Sequence, residues 1–217
     1  MARRQATGGG ARCGLPAGGA CARGAGAAAS AVAHVTLSLP RVSVRACSPD
    51  DVDLLEQVIP SPGLSRFHER RFIEQRAGAC TYLIAWMGAR PVGHLVLKWY
   101  GCDDAKVRAL LPEVPEINAL GVWPPEMRSG GVGTLLIRDA ERRTAERGYG
   151  RIGLAVGVDN LAAQRLYRRL GYADWGHGTV DGSWRYVSDS GDEVVVAETT
   201  HYLVKHLSPD PWEPIAS

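Results

Sequence analysis

The chain has 217 residues, 45% of them hydrophobic and 22% charged, with a formal net charge of +2. That is enough for one ordinary domain and not comfortably two, and so small a charge makes no electrostatic case for nucleic acid or a membrane surface. No apolar run is long enough to cross a bilayer, and five widely spaced cysteines without a CxxC pair argue against a disulfide framework or a zinc site, and for a reducing cytoplasm.

Residues 1–38 are rich in Ala, Gly and Arg, and no acidic residue precedes Asp50. Such a segment buries too little apolar surface to offset its ordering entropy, so it reads as a disordered tail. A targeting segment opened by Arg3 and Arg4 is the second reading, but no apolar stretch follows to support it. Residues 39–209 form the expected domain and 210–217 a short C-terminal tail.

From Arg41 the pattern becomes regular. Val42 and Val44 alternate with Ser43 and Arg45, which predicts a half-buried strand. Ser48, Pro49, Asp50 and Asp51 are an N-cap, a first-turn proline and two dipole-complementing acids, so a helix follows. Leu64, Phe67, Phe72 and Ile73 predict a second helix, closed at Gly78. Strands over 80–87 and 91–100 flank a short hairpin connection, and residues 101–115 read as a loop. Glu116–Val122 is the next strand. A helix over 131–147, a strand over 151–158 and a helix capped by Asp159 or Asn160 complete the middle of the chain. Two turn signals, Asp181-Gly182 and Ser190-Gly191-Asp192, divide the last β-rich stretch. The order predicts an α/β (α+β) fold: a central mixed, mostly antiparallel sheet with helices on both faces, two strand–helix–strand units permitting parallel pairing.

Between strand 116–122 and helix 131–147 lies Arg128-Ser129-Gly130-Gly131-Val132-Gly133-Thr134. Glycines let main-chain N–H groups approach a ligand, and a helix start favours an anion, so the turn suits a diphosphate. Arg128 adds a charge-assisted contact. The turn lacks the Lys of a nucleotide-hydrolysing phosphate loop, and Leu136 stands where a dinucleotide fingerprint needs its third glycine.

A second stretch, "NLAAQRLYRRLGY", follows at the next helix. Val122, Pro124, Arg128, Gly131 and Gly133, taken with Asn160, Ala163, Leu166, Tyr167, Gly171 and Tyr172, resemble the GNAT superfamily of acetyl-CoA-dependent N-acetyltransferases. The resemblance covers 41–207 in element order and 116–172 in motif detail. It implies an acyltransferase with acetyl-CoA as acetyl donor, no metal, and coenzyme contacts from Leu120, Gly121, Val122, Arg128, Ser129, Gly130, Gly131, Val132, Gly133, Thr134, Asn160 and Tyr167. The Val122 N–H would polarise the thioester carbonyl. Tyr167 would be the general acid for the departing thiolate and Glu116 the base for the amine. On a regular strand Glu116 shares a face with Asn118, Leu120 and Val122. His94 and a water chain are the alternatives for the base, and the strand at 155–157 carries no carboxylate.

The resemblance places the acceptor between the first helix–helix loop (59–70) and the last hairpin. That hairpin carries Trp175, His177, Trp184 and Tyr186 beside Asp189, Asp192, Glu193 and Glu198, a set suited to a cationic amine. A small-molecule or peptide amine is therefore the expected partner, with no nucleic acid or membrane. A coenzyme-binding module without turnover is the competing reading, and a homodimer is left open.

Overall fold

The computed structural model describes residues 41–207, so the expectations for the two tails lie outside the described residues. Strand β1 (Val42–Ala46) leads into Ser48, whose N–H and hydroxyl both donate 2.7 Å bonds to Asp51. This reciprocal cap starts a single 3-10 turn that runs on into helix α1 (Val52–Val58). Helix α2 (Phe67–Arg76) starts later than its pattern predicts. Leu64 is instead a loop residue whose N–H donates to the Val187 carbonyl at 2.8 Å, and both Leu64 and Ile73 are exposed. The buried face of α2 begins with Phe67 and His68.

Strands β2 (Cys80–Met87) and β3 (Arg90–Lys98) form the expected hairpin around Gly88, which has φ of 62°. The predicted 101–115 loop contains helix α3 (Ala105–Leu110), capped by the Asp104 carboxylate accepting from the Val107 N–H at 2.9 Å. Strand β4 (Glu116–Val122), helix α4 (Val132–Glu146), strand β5 (Arg151–Gly157) and helix α5 (Leu161–Arg169) follow. Two long strands, β6 (Ala173–Val187) and β7 (Glu193–His206), close the described chain. Asp181-Gly182 is not a turn: both residues stay inside β6, paired with Thr199 and Glu198. Only the Ser190-Gly191-Asp192 signal reverses the chain.

The sheet order is β1-β2-β3-β4-β5-β7-β6. Neighbours are antiparallel except β4 and β5. Of the two strand–helix–strand units, one therefore makes a parallel pair; in the other, β7 lies between β5 and β6. Helix α4 presses Val132, Leu136, Ile137 and Ala140 onto one face with Leu95, Leu97, Ile117 and Leu154, and Tyr167 of α5 joins the same cluster. Leu135 of the same helix points away from this face and is exposed. On the opposite face α1 packs Val52 and Leu55 against Tyr82, Ile84 and Val96, while α3 packs Val107 against Val180 and Tyr202. Helices thus cover both faces, as the predicted architecture requires.

Candidate active site

The parallel pair barely holds together. β4 and β5 are in register only at Glu116–Gly153 and Ile117–Leu154, beyond which the two strands part. One cause lies in β4 itself. Val96 faces Asn118 but His94 faces Gly121, so β4 spends one residue more than β3 over this span. Ala119 carries φ of 48°, the left-handed conformation of a bulge.

The bulge sets which main-chain groups face the gap. The Trp123 N–H bonds to the Val92 carbonyl at 3.0 Å. Alternation along an antiparallel ladder then turns the N–H groups of Val122 and Leu120 away from β3, toward the space β5 has left. It also overturns the expected common face. Leu120 and Val122 pack with Ile117 on the α4 side, while Ala119 packs on the α1 side. Glu116 and Asn118 therefore do not share a face with Leu120 and Val122.

The glycine turn borders the same gap. Gly131 caps α4 with φ of 88°, a conformation that favours glycine, and no side chain caps this helix. The N–H groups of Arg128 and Gly130 are used internally, bonding the carbonyls of Pro125 and Met127 at 3.0 and 3.3 Å. Those two amides are thus unavailable to an anion, and Arg128 retains its exposed side chain. Val132, Gly133 and Thr134 sit in the first turn, where N–H groups have no intrahelical acceptor. Packing does not require glycine at 133: a Cβ there would meet nothing closer than 3.8 Å, the nearest groups being Leu166, Val122 and Leu120. The room above the helix start is open, walled by the residues that flank the gap.

Helix α5 forms the other wall. The Asn160 side chain accepts from the Ala163 N–H at 3.1 Å and so caps the helix, which leaves its amide nitrogen to donate elsewhere. Gln164, which carried no signal in the sequence reading, is buried and donates 3.0 Å bonds to the carbonyls of Gly157 and Val158. It pins α5 to the end of β5. Its i+4 spacing from the Asn160 cap was the available clue. Tyr167 is buried, with its ring edge-on to Tyr172 at 5.9 Å. Burial pushes its phenol up to about 12.

Glu116 lies at the vertex, where the strands are still joined, and is 2% exposed. One oxygen accepts from the Asn118 amide at 3.1 Å, and the other has no protein partner among the described residues. Leu120 is four residues away, on the order of 10 Å along a strand, so the carboxylate does not reach the gap's mouth directly. Nearby, burial and then the Glu116 charge push the Cys102 thiol up to about 12.

The face opposite α4 has an opening. Asn118 and Ala155 are exposed although β4 and β5 lie inside the sheet, so α1, α2 and α3 leave a window over the gap. Farther out, the α1–α2 loop meets the β6–β7 hairpin. The Ser65 hydroxyl accepts from the Val187 N–H at 2.9 Å, and Phe67 meets Trp184 edge-on at 6.2 Å. Pro62, Gly63, Trp184, Tyr186 and Asp189 line a shallow hollow of about 500 Å³ there. The remaining expected acceptor residues do not join it. Trp175 packs on Tyr202 and beneath Lys106, beside His177. Glu193 pairs with Arg185, Asp192 accepts from Ser190, and Glu198 lies over Gly157 at the end of β5. Among the described residues no group of three or more His, Cys, Asp or Glu side chains is placed to hold a metal.

A sheet opened between two parallel strands thus has a glycine-rich helix start beside the opening. Residues 51–172 match the model of the acetyltransferase (GNAT) family, and the chain belongs to that family. It is 31% identical over 93 residues to an uncharacterized N-acetyltransferase of Methanocaldococcus jannaschii; the match takes in 43% of this chain and 39% of that protein's length. Three solved structures share the fold. An N-acetyltransferase from Staphylococcus aureus Mu50 has a TM-score of 0.56 at 9% identity, over 77% of this chain and 99% of its own. The ribosomal-protein-S18-alanine N-acetyltransferase of Escherichia coli scores 0.52 at 14% identity, over 81% and 100%. An acetyltransferase from Salmonella typhimurium, solved with acetyl-CoA, scores 0.52 at 13% identity, over 78% and 98%.

Proposed function

We propose that the chain transfers an acetyl group from acetyl-CoA to a primary amine by direct attack in a ternary complex. The observation that supports this most is the conjunction at one place of the β4–β5 gap, the Leu120 and Val122 N–H groups turned into it, and the uncapped start of α4 beside it. The diphosphate would rest on the first-turn amides of Val132, Gly133 and Thr134, with Ser129, Gly130 and Gly131 shaping the turn and the Arg128 side chain adding charge. Gly121 and the amide nitrogen of Asn160 would border the coenzyme arm. The Leu120 and Val122 amides would stabilise the oxyanion as the amine attacks the thioester carbonyl carbon. The C–N bond forms, the C–S bond breaks, and the departing thiolate is stabilised by a hydrogen bond from Tyr167, the general-acid position, before it takes up a proton. Glu116 would draw the amine's proton through intervening groups, since it is held at the vertex.

The acceptor would be a small-molecule or peptide amine entering by the window at Asn118 and Ala155. Three buried free thiols, Cys47, Cys80 and Cys102, are consistent with work in the cytoplasm. The catalytic unit would be residues 39–209, with the first 38 dispensable for coenzyme binding. Titration calorimetry with coenzyme A and a thiol-release assay with acetyl-CoA and a panel of amines test the reading. Coenzyme binding with amine-dependent thiol release is the expected result. Binding without release across the panel would make the chain a coenzyme-binding module, and absence of binding would remove the site.

A further inference from the structure

A buried polar cluster lies under the window, and it holds His94, one of the alternatives for the base. His68 of α2 is fully fixed: Nε2 donates to the Ile59 carbonyl at 2.8 Å, so Nδ1 accepts from the Tyr82 hydroxyl. His94 of β3 stands edge-to-face with His68 at 5.5 Å and tilted to Tyr82 at 6.0 Å. His94 is not fixed in the same way. Its Nδ1 is buried with no hydrogen-bond partner among the described residues, and its Nε2 lies against Gly121, 2.7 Å from where a Cβ would stand. Glycine at 121 is what admits the imidazole. A buried polar atom without a partner is destabilising, and an apolar side chain would fill the same space without that penalty. Taken as a whole residue His94 is half-buried, on the face that carries the window.

The position is specific. His94 is the cross-strand partner of Gly121, between the two gap-facing amides of Leu120 and Val122. Its side chain is on the α1 and α2 face, the side of the window and opposite α4, where the coenzyme would lie. Ala119 and then Asn118, which is bonded to Glu116, follow on this face toward the vertex. We propose that His94 is the group that takes the proton directly from the attacking amine, a role that rests on the acetyltransferase reading. As the amine nitrogen bonds to the carbonyl carbon, its proton passes to the imidazole Nε2. The C–S bond then breaks, the thiolate leaves on a hydrogen bond from Tyr167 and takes its proton from solvent, and the imidazolium, the first of the groups between the amine and Glu116, releases its proton through the window.

The surroundings keep the imidazole neutral beforehand. Burial, then the Arg71 charge, then His68 hold His94 well below the usual histidine range, and the Ala119 carbonyl opposes them. From β2 the facing titratable group is Tyr82, from α2 His68 and Arg71, and from α1 Glu56, whose carboxylate accepts from the N–H groups of His68 and Glu69. A neutral ring is a ready acceptor, and its lowered basicity favours rapid release.

The test uses the full chain with acetyl-CoA and three probes: spermidine, lysine and a short peptide with a free amino terminus. His94→Gln is expected to lower kcat on the order of 100-fold, leave the calorimetric coenzyme A affinity unchanged, and give a rate that climbs steadily with pH as hydroxide replaces the imidazole. His68→Gln is expected to lower stability with a far smaller effect on kcat. Gly121→Ala, which drives a methyl into Nε2, should reproduce the loss with the imidazole still present. A His94→Gln protein that keeps the wild-type rate and pH profile overturns this role alone. Wild-type protein that binds coenzyme A but turns over none of the probes overturns the enzyme reading and this role together.

Discussion

Tyr167 and Gly133 carry the sharpest residue-scale expectations. With its phenol pushed up to about 12 by burial, full proton transfer to a thiolate of ordinary pKa near 8–9 is uphill. Tyr167 is therefore expected to act mainly by donating a hydrogen bond to the sulfur. Tyr167→Phe should lower kcat by about 100-fold while coenzyme A binds as before, which calorimetry beside single-turnover rates would check. At Gly133 the expectation has two opposite signs. Alanine fits the chain's own packing and favours the helix by up to about 1 kcal/mol, but its methyl occupies the room above the α4 start. Gly133→Ala should raise the urea midpoint and weaken coenzyme A binding. The glycines and Tyr167 were legible because their residue types and spacing are the signal. The face occupied by Glu116 was not, because one left-handed residue, Ala119, reverses the alternation beyond it, and nothing in "EINALGV" marks that residue as the bulge.

Among the elements, the junction of β1 and α1 sets an acid limit. The Asp51 carboxylate is buried, and its bonds to the Arg45 guanidinium, 2.5 and 2.7 Å, together with Ser48, hold its pKa down from 3.8 to about 2. The folded value lies below the unfolded one, so the contribution is complete above pH 4 and vanishes as pH falls through 2. It amounts to roughly 2 kcal/mol. Urea unfolding at pH 5, 3 and 2 should show that loss in the wild type and its absence in Asp51→Ala. Ser48, Pro49 and Asp51 announced this helix start in the sequence. Helix α3 gave no comparable notice: six residues are too few for a periodic pattern to show, and Asp104 is a lone cap. Strand β6 was divided wrongly because Asp181-Gly182 is a strong local turn pair, yet the ladder to β7 runs straight through it.

At the level of the whole molecule, ligand and fold should be linked through the β4–β5 gap. Coenzyme A that binds only the native chain adds about 2.7 kcal/mol at a hundred times its dissociation constant. For a domain of this size that is a rise of several degrees in Tm, measurable by scanning calorimetry with and without coenzyme A. Element order made the mixed sheet legible. The place of β7 was less so, since sequence neighbours usually pair and here the last strand enters between β5 and β6.

That insertion has a consequence for synthesis. The sheet cannot close until residue 206 has emerged from the ribosome, so during translation β5 presents a bare edge and β6 has no neighbour. A nascent chain paused before β7 exposes a long template for pairing with other chains, and a premature stop inside β7 should yield aggregate instead of a smaller folded domain.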